Sequence, residues 1–177
     1  MDYKHRLIEK KILRVGEHFP VTVLVGARQV GKTTLLRHLL PNVAQVTFDP
    51  VIDINNARQD PELFLKNMNT PLLLDEIQYA PELLSVIKRW VDENKTPGQY
   101  WLTGSQNLSM LKNVAESLAG RAAVLSLYPM TLGELQNAPS TWIVDFLQNP
   151  QQFLQAPHET LQRLPSKSLF SVLWKGG

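Results

Sequence analysis

The stretch from Val21 to Leu36 constrains this chain more than any other part of its sequence. It begins with an apolar, mostly β-branched run, VTVLV, which predicts a buried strand. The run leads into GARQVGKT, which matches the pattern G-x-x-x-x-G-K-[ST] at every fixed position, and the residues that follow favour a helix. A strand, this loop and a helix, in that order, are the context that a phosphate-binding loop requires. We therefore predict a nucleotide site here.

The chemistry of phosphate binding explains the spacing of the motif. A triphosphate needs several donors that converge on neighbouring oxygens, and backbone N–H groups at a helix N-terminus supply them. Gly26 and Gly31 allow backbone conformations and close approaches that a Cβ would block. Lys32 is expected to reach the β- and γ-phosphates, and the Thr33 hydroxyl is expected to bind Mg²⁺. The predicted nucleotide contacts are Gly26, Ala27, Arg28, Gln29, Val30, Gly31, Lys32, Thr33 and Thr34.

A second informative stretch, PLLLDEIQ, runs from Pro71 to Gln78 and ends an apolar run with two acids. Three consecutive leucines fit a strand that is buried on both faces, as in a parallel sheet. Asp75 and Glu76 then lie at the carboxyl end of the strand, where ligands bind in open α/β sheets. Asp75 is expected to hold the Mg²⁺ shell, directly or through water. Glu76 is expected to take a proton from the attacking water.

The sequence QYWLTGSQ, residues 99–106, predicts a further strand with a polar end. A small hydroxyl or amide at this end could orient the attacking water between the two acids and the γ-phosphate. Ser105 is the first choice for this role, and Gln106 and Thr103 are the next. The alternative is an ordinary serine that caps the next helix.

An arginine precedes the last predicted strand, which runs from Ala122 to Leu127. Arg121 follows Gly120, and its guanidinium could reach a phosphate and neutralise charge in the transition state. A surface arginine explains the residue equally well. Arg28, inside the phosphate loop, is a lesser candidate for the same role.

Composition sets wider limits. The 177 residues suit one domain with a sizeable core, and a net charge of +2 is too small to favour a nucleic-acid or membrane partner. The chain has no cysteine, no signal-peptide pattern and no run long enough to cross a membrane, so a cytoplasmic protein is expected. A first helix is predicted from Asp2 to about Gly16. Its basic residues favour a solvated face, with nucleic-acid contact as a minority alternative; they are Lys4, Arg6, Lys10, Lys11 and Arg14.

Alternating strands and helices predict an α/β fold of three layers, with about five mostly parallel strands and helices on both faces. With a glutamate directly after the Mg²⁺ aspartate, the pattern resembles P-loop NTPases of the AAA+ type. The segments GARQVGKTTLL, LLLDEIQYAPELL, WLTGSQ and SLAGRAAVLSLYPMTLGEL resemble, more closely, a family of bacterial and archaeal AAA-type ATPases. Members of that family carry a C-terminal domain of uncharacterised function after the ATPase core.

The resemblance implies ATP and Mg²⁺ as ligands and places the family's elements on this chain. Its phosphate loop falls on Gly26 to Thr33 and its acidic pair on Asp75 and Glu76. Its polar sensor falls on Ser105 or Gln106. Its Gly-Arg element falls on Gly120 and Arg121. Residues 1–135 are expected to form the ATPase core with an N-terminal helix, and 136–177 a partial helical extension, truncated before the next domain.

Several functions share a phosphate loop. We favour ATP hydrolysis, because Glu76 directly follows Asp75. The main alternative is a nucleotide-gated switch or DNA-associated regulator with little hydrolysis, and a homo-oligomer or protein partner fits either. A small-molecule kinase needs an arginine-rich lid, but residues 139–165 contain only Arg163. A GTPase lacks its guanine-reading aspartate in NKTP, residues 94–97, and zinc chemistry has no cysteine and only scattered histidines.

Overall fold

The apolar run before the predicted phosphate loop forms strand β1 (Val21–Gly26), and all six of its residues are buried. The computed structural model describes residues 3–49, 55–105 and 108–135, together with 147 and 151. The other strands in these ranges are β2 Ala44–Thr47, β3 Leu72–Asp75, β4 Tyr100–Ser105 and β5 Ala122–Leu127. All five lie close to their predicted ranges. Strands β1 and β3 are the clearest cases, because short apolar runs bounded by turn residues mark buried strands well.

The strands form one parallel sheet in the order β2-β3-β4-β1-β5. Strand β4 therefore lies between β1 and β3, although it follows both in the chain. The register aligns Gly26 with Ser105 on one side of β1 and with Leu127 on the other. Because the strands run in the same direction, the residues that follow them meet at one edge of the sheet. The predicted α/β fold class is confirmed.

Seven α-helices and one 3₁₀ turn are defined in the described part of the chain. They are α1 Glu9–Gly16, α2 Lys32–Leu39, α3 Asn55–Gln59, α4 Pro61–Lys66, the 3₁₀ turn Ile77–Tyr79, α5 Leu83–Glu93, α6 Leu108–Leu118 and α7 Leu132–Leu135. Helix α3 lies in a stretch that the sequence suggests is irregular, because it is polar and lacks apolar periodicity. The Asp60 side chain accepts a hydrogen bond from the Leu63 N–H and caps α4, whose first residue is a proline.

The two faces of the sheet are covered by different helices, because side chains of a strand alternate between its faces. One face shares a buried core with α5 and α6; its residues are Val21, Val23, Val25, Leu72, Leu74, Tyr100, Leu102, Leu83, Leu84, Ile87, Val114 and Leu118. On the other face, α1 and α2 contact each other and β1. Trp101 projects to this second face, where its ring leaves no room for a Cβ at Gly16 of α1. The predicted three-layer arrangement is therefore present.

The first helix is shorter than predicted. It begins at Glu9, and Asp2, the expected cap, lies outside the described residues. Arg6 is not on an exposed helical face: it is buried, and its Nε donates to Glu134 Oε1 at 3.1 Å. The basic residues of this region therefore do not form one continuous helical surface, because a carboxylate distant in the sequence binds one of them.

Two compact units divide the chain, residues 8–128 and residues 1–7 with 129–177. The predicted boundary after residue 135 is thus seven positions later than the one at Tyr128. Within the second unit, Glu134 also accepts hydrogen bonds from the N–H groups of Leu7 at 2.8 Å and Thr131 at 2.7 Å. The predicted extension 136–177 lies outside the described residues, apart from 147 and 151.

Membrane insertion of a helix has no support in the described ranges. The longest helices there, α5 and α6, have 11 residues each, and neither they nor any other described helix is long and apolar enough to cross a bilayer.

Candidate functional site

The loop between β1 and α2 depends on its two glycines for different reasons. Gly31 is the N-cap of α2 and has φ of +91°, a left-handed conformation that residues with a Cβ rarely adopt. At Gly26 the limit is space, because an added Cβ would lie 2.5 Å from the Leu127 carbonyl oxygen of the neighbouring strand. Gln29 is also left-handed, with φ of +66°. The loop therefore folds tightly against the carboxyl edge of the sheet, directly before a helix N-terminus.

Lys32 joins the loop to the first turn of α2. Its side chain folds back so that Nζ donates to the carbonyl oxygens of Gly26 at 3.1 Å and Ala27 at 2.9 Å. The residue is only 4% exposed, which keeps the charge close to the loop backbone. Because an ammonium group has three donors, these two bonds leave one for a bound anion.

Thr33 and Asp75 meet across the carboxyl edge of the sheet. The Thr33 Oγ1 donates to the two carboxylate oxygens of Asp75 at 2.8 and 2.9 Å. Thr103 Oγ1 also donates to Asp75 Oδ1, and Thr47 Oγ1 lies 3.4 Å from Asp75 Oδ2. Three hydroxyl groups from α2, β4 and β2 thus surround one carboxylate, which is 3% exposed. These bonds offset the unfavourable burial of its charge.

Glu76 follows Asp75 but turns out of the strand. Its backbone is left-handed, with φ of 59° and ψ of 47°, and the 3₁₀ turn begins at the next residue. The Glu76 N–H donates to Thr103 Oγ1 at 3.0 Å, and its Oε2 accepts a hydrogen bond from Gln78 Nε2. Glu76 is partly exposed, whereas Asp75 is buried. The two adjacent acids therefore have different environments.

The polar end of β4 contributes to the site through a different residue from the one ranked first. Thr103, placed behind Ser105 and Gln106 in the sequence-based order, makes direct bonds to Asp75 and Glu76. Ser105 lies two residues farther along β4, beside Gly26, and its N–H donates to Gln78 Oε1 at 3.2 Å. The role of the Ser105 hydroxyl remains a prediction, and Gln106 lies outside the described residues.

Arg121 lies at the opposite edge of the sheet from the phosphate loop. Its carbonyl pairs with the Val21 N–H at the start of β1, whereas the loop follows Gly26 at the end of that strand. At about 3.3 Å per strand residue, the backbone separation is about 20 Å. Arg121 is therefore too far from the phosphate loop of its own chain to reach a phosphate bound there, contrary to the expectation from the sequence. A role for Arg121 at the site of a second chain remains a prediction.

The guanidinium of Arg121 is bound to a carboxylate at that edge. Its Nε and Nη2 donate to Asp92 Oδ1 at 2.5 Å and Oδ2 at 2.8 Å, and its Nη1 donates to the Ala119 carbonyl. The hydrogen bonds from Arg121 lower the pKa of Asp92, and the same bonds raise the pKa of Arg121. The two side chains line an open depression of about 420 Å³ together with residues such as Phe19 and Lys95.

Arg28 lies within the phosphate loop itself. Its side chain is exposed, and Nη2 donates to the Tyr79 hydroxyl at 3.3 Å. Arg28 therefore links the loop to the 3₁₀ turn after the acidic pair, and it remains the lesser candidate for contact with phosphate.

Two residues of this site were not among the sequence-based candidates. Thr47 ends β2, so the rule that ligands gather at the carboxyl ends of parallel strands could have identified it. Gln78 could not have been found in this way, because its contacts depend on the turn that Glu76 begins.

The residues around Asp75 fit a magnesium ion bound together with a nucleotide. Magnesium usually keeps several waters and binds one or two carboxylates plus phosphate oxygens. Asp75 and Thr33 supply a carboxylate and a hydroxyl at the N-terminus of α2. No cluster of three or more histidine, cysteine or acidic side chains suited to a metal occurs in the described ranges.

Comparisons with known proteins identify the family and the fold. A family model described as an AAA domain matches residues 18–136. Uncharacterised proteins of Mycobacterium bovis and Mycobacterium tuberculosis are each 32% identical over 126 residues, which cover 71% of this chain and 29% of each relative. This chain thus spans less than a third of the length of those relatives.

A solved structure, the Walker-type ATPase Paby2304 of Pyrococcus abyssi, aligns with 98% of this chain and 63% of its own length. The TM-score is 0.52 at 18% sequence identity, a likeness that concerns the fold alone. The family model matches well over half of the chain and includes the phosphate loop, the acidic pair and the strand between them in the sheet. The chain therefore belongs to the AAA domain family of P-loop ATPases.

Proposed function

We propose that this chain binds ATP together with Mg²⁺ and hydrolyses it to ADP and phosphate. The backbone N–H groups of residues 26–34 would surround the phosphates, and Lys32 would contact the β- and γ-phosphates. Thr33 and Asp75 would hold the magnesium ion, which neutralises charge on the phosphate oxygens when bound. Membership of the family supports nucleotide binding; the metal and the reaction are our inference from the site.

The contact of Thr33 with Asp75 is the observation that carries this proposal. It joins the last residue of the phosphate-loop motif to the first acid of the pair, although 42 positions separate them in the chain. A hydroxyl and a carboxylate in contact beside a helix N-terminus form a site for a hard cation next to a site for phosphate. Either group alone would be weak support, whereas the two together favour a metal-bound nucleotide.

Glu76 is the proposed general base. Its carboxylate would accept a proton from a water molecule whose oxygen attacks the γ-phosphorus, and the bond from that phosphorus to the β,γ-bridging oxygen would break as ADP leaves. Partial exposure suits this role, because the carboxylate must reach water. Asp75, which is buried and bound by three hydroxyl groups, suits a metal ligand rather than a base.

The position of Arg121 bears on whether hydrolysis occurs within one chain or needs a second chain. Since its strand position is about 20 Å from the phosphate loop of its own chain, we propose that Arg121 would act at a neighbour's nucleotide. A homo-oligomer would follow from that role. The same position favours the second candidate function, a nucleotide-gated switch whose turnover remains slow until a partner assembles.

The test is Mg²⁺-dependent ATP binding and turnover by the chain and by Glu76→Gln. We expect both proteins to bind ATP with similar affinity and the variant to lose about 10²- to 10⁴-fold in kcat, the usual contribution of a general base. Glu116→Gln, the same change on a side chain that is 63% exposed on α6, is a matched control. Full activity in Glu76→Gln would remove the assigned base. ATP binding without any turnover, at concentrations up to those that favour assembly, would favour the switch.

A further inference from the structure

Gln78 uses both ends of its side-chain amide at the acidic pair. Its Nε2 donates to Glu76 Oε2, and its Oε1 accepts a hydrogen bond from the Ser105 N–H at 3.2 Å. A backbone N–H can only donate and an ionised carboxylate can only accept, so these neighbours determine which way the amide faces. A leucine or a glutamate at this position could not make both bonds.

The conformation of Glu76 explains why its side chain needs such support. A left-handed backbone at a residue with a Cβ is unfavourable and persists only where its surroundings hold it. The Thr103 hydroxyl accepts the Glu76 N–H at 3.0 Å, and Gln78 binds the carboxylate. Through Thr103 and Ser105, both supports depend on β4. The orientation of Glu76 is thus set by the strand that lies between β3 and β1.

We propose that Gln78 is a positioning residue for hydrolysis, which holds the Glu76 carboxylate in place and couples it to the carboxyl end of β4. The inference rests on the proposed function, because it needs Glu76 to act as the base. A carboxylate can accept about four hydrogen bonds, so one bond from the amide leaves acceptor positions for the attacking water. Gln78 itself touches neither the nucleotide nor the water, and it acts through Glu76.

The experiment compares Gln78→Leu and Gln78→Glu with the parent chain and with Gln59→Leu as an exposed glutamine control. Leucine has a similar size to glutamine and removes the hydrogen bonds to both Glu76 and the Ser105 N–H. Glutamate keeps an oxygen toward the Ser105 N–H but replaces the donor to Glu76 with a like charge. We expect ATP affinity within about twofold of the parent in both. We expect kcat to fall about 10- to 100-fold in Gln78→Leu and at least as far in Gln78→Glu, because small displacements of a catalytic group cost this much.

A double variant distinguishes a positioning role from a structural one. If Gln78 acts through Glu76, then Gln78→Leu should lower the residual kcat of Glu76→Gln by less than twofold. A further tenfold loss would overturn the inference, as would an equal loss of ATP affinity and kcat in the single variants. Thermal unfolding of each variant identifies loss of structure, and Gln78→Glu is decisive if Gln78→Leu fails to fold.

Failure of this inference is distinguishable from failure of the proposed function. A parent chain that hydrolyses ATP in a Glu76-dependent manner, together with a Gln78→Leu variant of unchanged kcat, overturns the role of Gln78 alone. A parent chain with no Glu76-dependent hydrolysis overturns the assignment of the base, and the inference about Gln78 fails with it.

Discussion

The Thr33 hydroxyl donates to both carboxylate oxygens of Asp75, at 2.8 and 2.9 Å, and so joins the first turn of α2 to the end of β3. The contact places a helix N-terminus, a hydroxyl and a buried carboxylate at one point on the sheet edge. Each of these features attracts either phosphate or a divalent cation, and their combination is what a metal-bound nucleotide requires.

Asp75→Asn and Thr33→Val should weaken the effect of Mg²⁺ on ATP binding. The amide that replaces the Asp75 carboxylate is a poor magnesium ligand, and the methyl group that replaces the Thr33 hydroxyl cannot bind magnesium. The backbone donors of the loop remain in both variants. We expect ATP titrations of the variants to give similar affinities with Mg²⁺ and with a chelator. Thr96→Val is the control, because Thr96 is exposed and distant in sequence from both Thr33 and Asp75; it should keep the parent's response to Mg²⁺. Parental Mg²⁺ dependence in Asp75→Asn would contradict the metal assignment.

Lys32→Ala should lower ATP affinity by about 10- to 100-fold, because hydrogen bonds to charged groups contribute about 1.5–3 kcal/mol. It also removes the bonds that tie Nζ to the carbonyls of Gly26 and Ala27. Lys112→Ala is the control, since that side chain is 72% exposed on α6. Equilibrium binding of a fluorescent ATP analogue measures the difference. Unchanged affinity in Lys32→Ala would exclude this loop as the nucleotide site.

Turnover per chain should rise with protein concentration if Arg121 acts on a neighbour's nucleotide. Arg121→Ala should remove that rise and leave the activity of the dilute protein unchanged, because the residue lies about 20 Å from its own loop. Steady-state assays across a hundredfold range of concentration, together with light scattering, test both statements. Flat specific activity in the parent chain would rule out a role in trans.

Glu134→Gln should destabilise the unit that contains residues 1–7 and 129–177. Burial disfavours the charged form of Glu134, but bonds from the Thr131 and Leu7 N–H groups and the Arg6 guanidinium outweigh it and lower the pKa. Because the pKa of Glu134 is lower in the folded state, its ionised form stabilises that state at pH values above the unfolded pKa of about 4.5. This stabilisation is lost as the pH falls through the folded-state pKa. Breaking a buried pair costs about 3 kcal/mol.

Hydrogen exchange at the Leu7 and Thr131 amides measures that effect. Protection should be lower in Glu134→Gln than in the parent at pH 7, and the difference should disappear under acid conditions. Glu116→Gln, with a side chain 63% exposed, is the control and should leave both amides unchanged. A difference that persists at low pH would mean that the charge of Glu134 is not its source.

Much of the fold follows from patterns that are local in the chain. Strands β1 and β3, for example, were predicted because each is a short apolar run between turn residues. Two helices show where this reasoning fails. Helix α3 has no apolar periodicity. Helix α1 begins at Glu9 rather than near Asp2, and Arg6 and Leu7, which precede it, bind Glu134, far away in the sequence. Neither fact can be inferred from the neighbouring residues.

The prediction that Arg121 reaches a phosphate of its own chain was wrong for a different reason. Asp75 and Glu76 were correctly placed at the carboxyl edge because they end a parallel strand. The same rule places Arg121, which precedes a strand, at the opposite edge. Gly120 and Arg121 resemble the family's Gly-Arg element in sequence, but the direction of the strands determines at which edge of the sheet that element lies.

The amino-acid sequence alone was enough to predict the phosphate loop, its Lys32 and the acidic pair, because the donors and acids of each element lie within a few consecutive residues. The tertiary structure alone decided that β4 lies between β1 and β3. That order brings Thr103 against Asp75 and Glu76, and Ser105 against Gln78. Strand order depends on the packing of helices on both faces of the whole sheet. No short stretch of the chain contains that information.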